Sequence, residues 1–516
     1  MIVRPDDQPG DLVEHTDVAV VGTGAGGAVL AAELAEAGMR VIMVEEGDAH
    51  TAADFTARPL EQIRMLYRDR GMTGAIGNTF IGIPLGRTVG GTTTINSGTC
   101  WRAPDAVLHR WETEFGIPNV AAGGLTPEFE RVERAIHVQA VPEPLLGPAA
   151  RLFRRGAEAL GFHGEAIPRN AAGCRGTGVC AFGCPRDAKQ AMHVSYVPRA
   201  LRAGARLHAR ARVERVLLSD GRAVGVVAKR LDPDGRWNGA RVWVLADRVV
   251  VAAGALLTPV LLARSGIRRR PLGRSLRIHP ATRVLALFDE PVRAWDGVPQ
   301  SYHVHEFESE GIFLQGMVVP PALQAATLPG FGFAHKERMA AFDRLASFGA
   351  LISDTTTGRV FAAGGQSLVW YWMNRDDARR LLRAVSLCAR IFFAAGAREV
   401  YPGVRQQPVI RSMAEAEALE RVAVRPRDLE MMAFHPMGTA RMGSDPSTCA
   451  VAPSGEVYGT AGLYVADASV FPTSTRVNPQ ITIMAMATRI AAGIAACPRL
   501  QATPAETLPR PASVAA

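Results

Sequence analysis

The chain has 516 residues, of which 48% are hydrophobic and 21% are charged. This composition excludes a disordered chain, and the length excludes a small disulfide scaffold, so we expect a globular protein of several domains. The formal charge of +9 comes from scattered arginines, because only Lys189, Lys229 and Lys336 are lysines. The absence of a basic block with interleaved aromatic residues argues against nucleic-acid binding. A modest attraction to an anionic membrane surface or an acidic partner stays open.

The amino terminus and the cysteine count indicate the cellular compartment in which the protein is expected. Residues 1–9 lack the apolar run of a secretory signal. The longest apolar stretch, residues 249–263, contains Gly254 and Pro259 and is shorter than the ~20 residues that span a bilayer. Seven cysteines are an odd number, so thiols, metal ligands or buried small side chains are expected before disulfides. We predict a cytoplasmic protein without a transmembrane segment, peripheral to a membrane at most.

A strand, a helix and a second strand are predicted at residues 17–21, 28–38 and 40–44. The turn before the helix carries the spaced glycines of a dinucleotide fingerprint, Gly22, Gly24 and Gly27. The first glycine allows the tight turn, the second lets the backbone approach a pyrophosphate, and the third brings helix and strand together. The helix amino terminus then favours the pyrophosphate anion.

An acidic residue follows the second predicted strand, as the fingerprint requires. Glu45 could accept hydrogen bonds from an adenosine ribose, whereas strand alternation points Glu46 the other way. The alternative to a cofactor site is a plain tight turn, but the complete strand–glycine–helix–strand–acid context favours the dinucleotide.

Further elements follow in chain order. A second glycine-rich segment spans residues 82–98, and strand-like runs recur at four places, residues 213–218, 223–228, 242–245 and 248–252. Residues 276–424 mix apolar, aromatic and proline residues without a simple period, which indicates an inserted domain. The chain then returns to a strand at 462–465 and a helix near Pro479. A Pro/Ala-rich flexible tail is predicted at 499–516.

Five ordered motifs resemble those of the glucose–methanol–choline (GMC) flavin oxidoreductases. They are residues 86–96 (GRTVGGTTTIN), 254–259 with Ser265-Gly266, 435–443 (HPMGTARMG), 465–469 (VADAS) and 477–479 (VNP). The resemblance implies an α/β fold in which a Rossmann-like FAD-binding domain carries an inserted α+β substrate-binding (cap) domain. We expect the FAD-binding domain at 12–110, 190–275 and 425–498, the substrate lobe at 111–170 and 276–424, and a Cys-rich loop at 171–189.

The resemblance also implies which residues contact FAD. In addition to the fingerprint and Glu45 they are Arg87, Gly90, Gly91, Thr92, Asn96, Val213, Asp467, Ala468 and Pro479. Val213 matches a position whose backbone meets adenine, and Arg87 and Asn96 are polar anchors beside the flavin ring. Some family members carry a covalent flavin bond on a histidine where this chain has Ile95, so we expect FAD to be non-covalent. The alternative to cofactor contact is that these residues only form turns and helix caps.

The resemblance places the catalytic pair at His435 and Asn478. Oxidation of an alcohol by hydride transfer to flavin N5 needs a base for the hydroxyl proton, and imidazole is suited to neutral pH. Asn478 can donate to the substrate oxygen, and with Pro479 it also fits the N-cap and first residue of a helix. That helix would direct its positive end at the reduced flavin.

Three cysteines lie within eleven residues, at Cys174, Cys180 and Cys184. Their spacing resembles the iron–sulfur subunit of bacterial FAD-dependent glucose dehydrogenases and favours a [3Fe-4S] cluster over zinc. The segment equally resembles the long-chain alcohol oxidases, in which case free thiols, or one disulfide and a spare thiol, are expected. The other four cysteines are predicted to be buried apolar residues, Cys100, Cys388, Cys449 and Cys497.

The implied substrate is a small-molecule alcohol, with a lean towards an apolar one. A cluster would pass electrons to an external acceptor, a protein or a quinone, whereas an oxidase without a cluster would use dioxygen. A non-redox FAD-containing lyase and an electron-transfer subunit are the other classes considered. Aromatic residues of the inserted lobe are expected in its core or in an apolar pocket: Phe288, Trp295, Tyr302, Phe307, Phe313, Phe331, Phe333, Trp370, Tyr371 and Trp372.

Overall fold

The computed structural model describes residues 1–318, 320–364 and 366–497. Its strands are β1 (Ile2–Val3), β2 (Leu12–Val21), β3 (Val41–Val44), β4 (Gly74–Gly77), β5 (Ile81–Gly82), β6 (Val138–Ala140), β7 (Gly164–Ala166), β8 (Pro168–Asn170), β9 (Arg206–His208), β10 (Ala211–Ser219), β11 (Arg222–Leu231), β12 (Trp237–Val251), β13 (Pro280–Leu287), β14 (Tyr302–Val304), β15 (Ile312–Gly316), β16 (Leu345–Ile352), β17 (Arg359–Ala363), β18 (Gln366–Tyr371), β19 (Glu399–Tyr401), β20 (Met432–Ala433) and β21 (Leu463–Val465). Its α-helices are α1 (Ala25–Glu36), α2 (Pro59–Leu66), α3 (Asp105–Phe115), α4 (Thr126–Ala135), α5 (Pro148–Ala159), α6 (Tyr196–Arg202), α7 (Thr258–Arg264), α8 (Pro321–Ala325), α9 (Gly332–Ala340), α10 (Arg375–Ala394), α11 (Met413–Ala418) and α12 (Gln480–Ala496).

The first sheet is the Rossmann-like layer. Its strand order is β1-β9-β3-β2-β12-β11-β10, and β21 pairs with the carboxyl end of β12. The pairs from β1 to β12 are parallel, and β12, β11 and β10 form an antiparallel meander. Residues 16–21 of β2 are all buried, as a central parallel strand covered on both faces requires. Helices α1 and α12 pack together against this sheet.

The second sheet carries the inserted lobe. Its order is β17-β18-β4-β5-β20-β13-β16-β15-β14-β7, with β19 beside β13. Helix α10 covers one face through a buried stripe that includes Leu381, Leu382 and Val385. Asn374 caps this helix by accepting a 2.7 Å hydrogen bond from the Asp377 N–H. The opposite face, which carries Phe313, packs towards the Rossmann-like layer near Val477.

The segments that form the two sheets differ from the predicted domain boundaries. Strands β4, β5 and β20, placed by the prediction in the FAD-binding segments, pair within the second sheet. Helices α3 and α4 bury Trp111 and Phe129 in the core of the first sheet, although residues 111–135 were assigned to the substrate lobe. The domain division as a whole stays a prediction, and the predicted tail lies outside the described residues. Within the described ranges, no helix is both long and apolar enough to cross a membrane.

Candidate active site

A cavity of about 630 Å³ lies at the carboxyl ends of the parallel strands and reaches the second sheet. This is the edge where open α/β sheets bind ligands, and the volume is within the roughly 300–1,000 Å³ usual for cofactor and ligand sites. Most of the predicted site residues line it: Gly22, Gly24, Glu45, Gly91, Thr92, Asn96, Val213, His435, Asp467, Ala468, Asn478 and Pro479. Gly27, Arg87 and Gly90 are not among the lining residues.

Of the four glycines of the fingerprint turn, only Gly24 leaves room for a side chain. A Cβ on Gly22, where φ is +95°, would lie 2.4 Å from the Ala252 carbonyl oxygen, and one on Gly27 would lie 2.1 Å from the Gly22 carbonyl oxygen. A Cβ on Gly24 would meet no atom within 4 Å, so the backbone there borders open cavity. Sequence reasoning missed Gly26, whose Cβ would lie 1.7 Å from the Ala466 carbonyl oxygen.

Glu45 holds the fingerprint turn in place. Its Oε2 accepts hydrogen bonds from the Thr23 N–H at 2.9 Å and the Thr23 hydroxyl at 2.8 Å, and its Oε1 accepts from the Gly47 N–H at 2.9 Å. Burial raises the pKa of this carboxyl. Glu46 also lines the cavity, where its Oε2 lies 2.7 Å from Arg68 Nη2, so the expected opposite orientation is wrong.

The second glycine-rich segment contacts the first. Gly90 N–H donates to the Thr23 hydroxyl at 3.0 Å, and a Cβ on Gly91 would lie 3.0 Å from the Gly24 Cα. The Asn96 side chain donates to Gln480 Oε1 at 2.6 Å. The two glycine segments and the start of α12 therefore form one continuous wall.

Lys189 fastens this wall to the Cys-rich loop. Its buried Nζ donates to three carbonyl oxygens, those of Thr94 at 2.8 Å, Asn96 at 2.7 Å and Cys180 at 2.8 Å. Burial lowers the pKa of this ammonium to about 8. The lysine was not singled out in the sequence, because one lysine among cysteines carries no pattern.

Asp467 ties two turns together at the end of β21. Its carboxylate accepts from the Gly254 N–H at 2.8 Å, the Thr258 hydroxyl at 2.5 Å and the Ser469 N–H at 2.8 Å. Burial raises the pKa of this carboxyl. Its neighbour Ala468 also borders the cavity.

His435 and Asn478 meet at the cavity, although 43 positions separate them in the sequence. Asn478 Nδ2 lies 3.2 Å from His435 Nε2, which is hydrogen-bond distance. Burial lowers the pKa of His435 to about 4, so the imidazole is neutral at pH 7. The predicted N-cap role of Asn478 is wrong, because α12 begins at Gln480 and Pro479 occupies the cap position.

A second histidine lies behind the first and was missed in the sequence. His279 Nδ1 is 3.2 Å from His435 Nδ1, and His279 Nε2 is 2.6 Å from the Ser474 hydroxyl. His279 is fully buried, and burial holds its pKa well below the ordinary value. Its φ of +52° is held in part by Asp354, whose Oδ1 accepts from the His279 N–H at 3.3 Å. A lone histidine between isoleucine and proline gives no sequence signal.

These contacts are consistent with one direction of hydrogen bonding. An amide NH₂ only donates, so Asn478 leaves a lone pair on His435 Nε2 and the ring proton on Nδ1. That proton is donated to His279 Nδ1, and His279 Nε2–H is donated to Ser474. The Ser474 oxygen also accepts from the Arg476 N–H at 3.1 Å, and its proton is left for Ser353, 3.0 Å away.

Arg87 is directed away from the cavity. A Cβ on Gly235, in the turn between β11 and β12, would lie 2.6 Å from Arg87 Nη1. The guanidinium therefore lies against this turn, and the flavin-anchor position predicted for it is wrong in this structure. The motif around Arg87 could not predict this contact, because the turn between β11 and β12 lies about 150 residues further along the chain.

The three clustered cysteines do not form a prepared metal site. All seven cysteines are free thiols, and Cys174, Cys180 and Cys184 border a space of only about 10 Å³, about that of one water. Cys180 Sγ accepts a 3.2 Å hydrogen bond from Arg169 instead. Burial opposes ionisation of this thiol, but Arg169 and Lys189 outweigh it and lower its pKa. The loop therefore offers no preformed space for a cluster of several iron and sulfide atoms.

The isolated cysteines differ from expectation at one position. Cys100, Cys388 and Cys449 are buried, but Cys497 is exposed at the end of α12. The helix ends there, so the side chain meets no core.

The far end of the cavity is formed by the inserted lobe. It is lined by three glutamines and several apolar side chains: Gln300, Gln315, Gln366, Met317, Val318 and Phe434. None of the ten aromatic residues predicted for the lobe's core or pocket lines the described cavity wall. Phe331 and Phe333 are exposed at 92% and 74%, whereas Tyr371 is fully buried in the lobe's core.

Comparison with known proteins gives the family. Two models described as GMC oxidoreductase match residues 63–281 and 367–487, and a model described as FAD binding domain matches residues 15–85. GMC-type oxidoreductase Rv0492c of Mycobacterium tuberculosis is 42% identical over 95% of this chain and 77% of its own length. The chain belongs to the GMC oxidoreductase family. It is an FAD-dependent oxidoreductase, and the resemblance drawn from its motifs is confirmed.

More distant comparisons agree with this family. Long-chain-alcohol oxidase FAO4B of Arabidopsis thaliana is 29% identical over 91% of this GMC oxidoreductase and 66% of its own length. The structure of pyridoxine 4-oxidase from Mesorbium loti superposes with a TM-score of 0.71 at 20% identity, covering 92% of this chain and 98% of the other. The Rossmann-like FAD-binding domain with a substrate-binding domain is thereby confirmed as the fold.

Proposed function

We propose that this protein oxidises the CH–OH group of an apolar alcohol to an aldehyde or ketone, with non-covalently bound FAD as cofactor and His435 as base. The observation that carries the proposal is the His435–Asn478 pair, which faces the same cavity as the fingerprint turn. The relatives named long-chain-alcohol oxidases support an alcohol as the substrate class.

The cavity fits FAD along its length. The open space over Gly24 leaves room for the pyrophosphate at the start of α1, and Glu45 retains one lone-pair site for a ribose hydroxyl. Val213 borders the same end, and Ile95 offers no atom for a covalent flavin bond. When bound, FAD supplies the hydride acceptor.

The residues of the chain supply the proton chemistry. His435 Nε2 carries the lone pair that accepts the substrate hydroxyl proton once the substrate hydroxyl replaces the Asn478 N–H as its hydrogen-bond partner. Asn478 Nδ2 would then donate to the substrate oxygen. The amino terminus of α12, a 17-residue helix, faces the cavity and stabilises negative charge there.

We assign His279 as a positioning residue for His435. By accepting from His435 Nδ1–H it fixes the ring orientation and keeps the lone pair on Nε2, which is the atom that faces Asn478. When His435 becomes an imidazolium, the same hydrogen bond strengthens, because its donor is then charged.

The electron acceptor is proposed to react without an iron–sulfur relay, because the cysteine loop has no space for a cluster. An external acceptor protein, a quinone or dioxygen would then take electrons from the cofactor directly. Comparing reoxidation rates with dioxygen and with a soluble quinone analogue separates these acceptors. Stoichiometric iron and labile sulfide in an anaerobic preparation would refute the cluster-free proposal.

The proposal is tested by anaerobic mixing of the FAD-loaded protein with primary and secondary alcohols of increasing chain length. We expect the visible flavin absorbance to bleach, fastest with long apolar alcohols. His435→Ala should retain FAD but lose about 10²–10⁴-fold in bleaching rate. Product formation without any bleaching would instead support the FAD-containing lyase, and an unchanged rate in His435→Ala would refute the base.

A further inference from the structure

Three potential metal ligands meet at the outer edge of the second sheet. Glu165 on β7 and His303 on β14 are direct cross-strand partners, and His305 follows two residues after His303. Cross-strand partners and residues two apart share one face of a sheet. One donor atom from each of the three side chains lies within 4.8 Å of the other two.

The ring nitrogens of His303 have no hydrogen-bond partner among the described residues. The His303 side chain is 1% exposed. The nearest acidic oxygen, Glu308 Oε1, is 3.3 Å from His303 Nε2 but outside hydrogen-bond geometry. His305 Nδ1 is a second buried and unpaired nitrogen beside it. Unpaired buried polar atoms are costly, and a bound ion removes part of that cost by taking the one lone pair of each neutral imidazole ring.

The ring of His303 is nevertheless held rigidly. It stacks on Phe313 at 5.7 Å with an interplanar angle of 10°, and Trp101 lies 5.1 Å away. A neutral imidazole coordinates a metal through the lone pair of one ring nitrogen.

We infer that Glu165, His303 and His305 form a binding site for a divalent transition metal of the Zn²⁺ class. Two imidazoles and one carboxylate suit Zn²⁺, Co²⁺, Ni²⁺ or Fe²⁺, whereas Ca²⁺ and Mg²⁺ prefer oxygen ligands only. Glu308, whose Oε1 lies 3.3 Å from His303 Nε2, is a further oxygen donor beside these residues.

The role of the site is structural. Glu165 and His303 lie on adjoining strands, so a shared ion would fasten the terminal strand β7 to β14 and to the segment that follows it. His303 also pairs across the sheet with Gln315, which lines the cavity, so the ion would stiffen one cavity wall. None of the three ligands lines the cavity itself.

The test uses the FAD-loaded full chain, purified without a polyhistidine tag and stripped with EDTA. Zn²⁺ is titrated by calorimetry, and Co²⁺ is titrated by visible absorption. We expect one ion per chain, a raised midpoint of thermal unfolding with Zn²⁺, and an affinity loss of at least about 100-fold in His303→Asn.

Glu165→Gln, an exposed change that is safe for folding, should also weaken binding. His163→Asn is the matched control, because the His163 ring lies 6.5 Å from that of His305 but its Nδ1 is hydrogen-bonded to Glu306 at 2.7 Å. This variant should bind Zn²⁺ as the natural chain does. No binding at about 100 µM Zn²⁺, or equal affinity in His303→Asn, Glu165→Gln and the natural chain, would overturn the site. Metal content and unfolding midpoint are independent of enzymatic activity.

Discussion

Replacing His279 by leucine removes the acceptor behind the proposed base while nearly conserving volume. His435 Nδ1 then loses its hydrogen-bond partner, His279 Nδ1, which lies 3.2 Å away. Because His279 is completely buried, solvent does not replace the lost partner. The natural ring would donate a neutral hydrogen bond before proton transfer and a charged one afterwards. A neutral bond is worth about 0.5–1.5 kcal/mol and a charged one about 1.5–3 kcal/mol, so the difference is about 1–2 kcal/mol.

This difference in hydrogen-bond energy lowers the barrier, because His435 becomes charged only as it takes the substrate proton. At about 1.36 kcal/mol per factor of ten, the rate of flavin reduction should fall roughly 5- to 30-fold. Loss of the correct His435 tautomer adds to this, since a ring with its proton on Nε2 cannot act as a base towards the substrate. Substrate binding should change little, because His279 does not line the cavity.

The assay is anaerobic stopped-flow mixing of FAD-loaded variants with an alcohol that reduces the natural protein. The limiting bleaching rate and the apparent dissociation constant are extracted separately. His279→Asn should restore much of the rate, because its side-chain oxygen can accept from His435 Nδ1. His208→Leu is the matched control, since it makes the same change at another buried histidine, which lies on β9 and does not line the cavity.

Two results would refute the positioning role. One is a natural limiting rate in His279→Leu. The other is an equal slowing in His279→Leu and His208→Leu, which would indicate general loosening of the fold. If no alcohol bleaches the natural protein, the proposed activity fails instead, and the two failures are thus distinguishable.

Further predictions concern the pH dependence of activity and stability, the buried Lys189, and the close approach of Gly26 to Ala466. Because burial lowers the pKa of His435 to about 4 in the substrate-free protein, the ratio of limiting bleaching rate to apparent dissociation constant should be flat from pH 8 to about 5. It should fall as His435 is protonated near pH 4, whereas a fall centred near 6.5 would contradict that pKa. His303 has a folded pKa of about 3 against about 6.5 unfolded, so the unfolded chain binds more protons there below pH 6.5. His303 should therefore contribute up to about 1.4 kcal/mol per pH unit to the fall in unfolding free energy, as the difference between urea titrations of the natural chain and of His303→Asn would measure. Lys189→Met should cost about 2–3 kcal/mol of unfolding free energy and release FAD more readily, while the exposed Lys336→Met should leave both unchanged. Gly26→Ala should abolish FAD retention, because its Cβ would overlap the Ala466 carbonyl; full FAD content in this variant would exclude the close approach.

The sequence was most informative where chemistry depends on local spacing. The opening strand, glycine turn and helix could be predicted because each needs only neighbouring residues, and β2, α1 and β3 lie close to the predicted ranges. His435 and Asn478 could be found only through family motifs, since no local pattern brings together residues 43 positions apart. Their roles stay predictions until tested.

The sequence was least informative where long-range packing decides. Strands β5 and β20 are two residues each, too short for a periodic signal, so the sheet to which they belong could not be predicted. His279 and Lys189 gain their importance from partners brought in by other elements. The cysteine spacing resembled a metal-binding pattern, but the tertiary structure turns Cys180 towards Arg169 instead.

The contact between Gly26 and Ala466 has a consequence for biosynthesis. The opening βαβ unit of the chain is complete by residue 44, yet the turn after β21 and the start of α12 are part of the same cavity wall. A ribosome must therefore have translated the chain as far as the start of α12 before this cavity can close. The cofactor would be captured only after that point, and a message truncated before residue 480 would yield a chain unable to retain it.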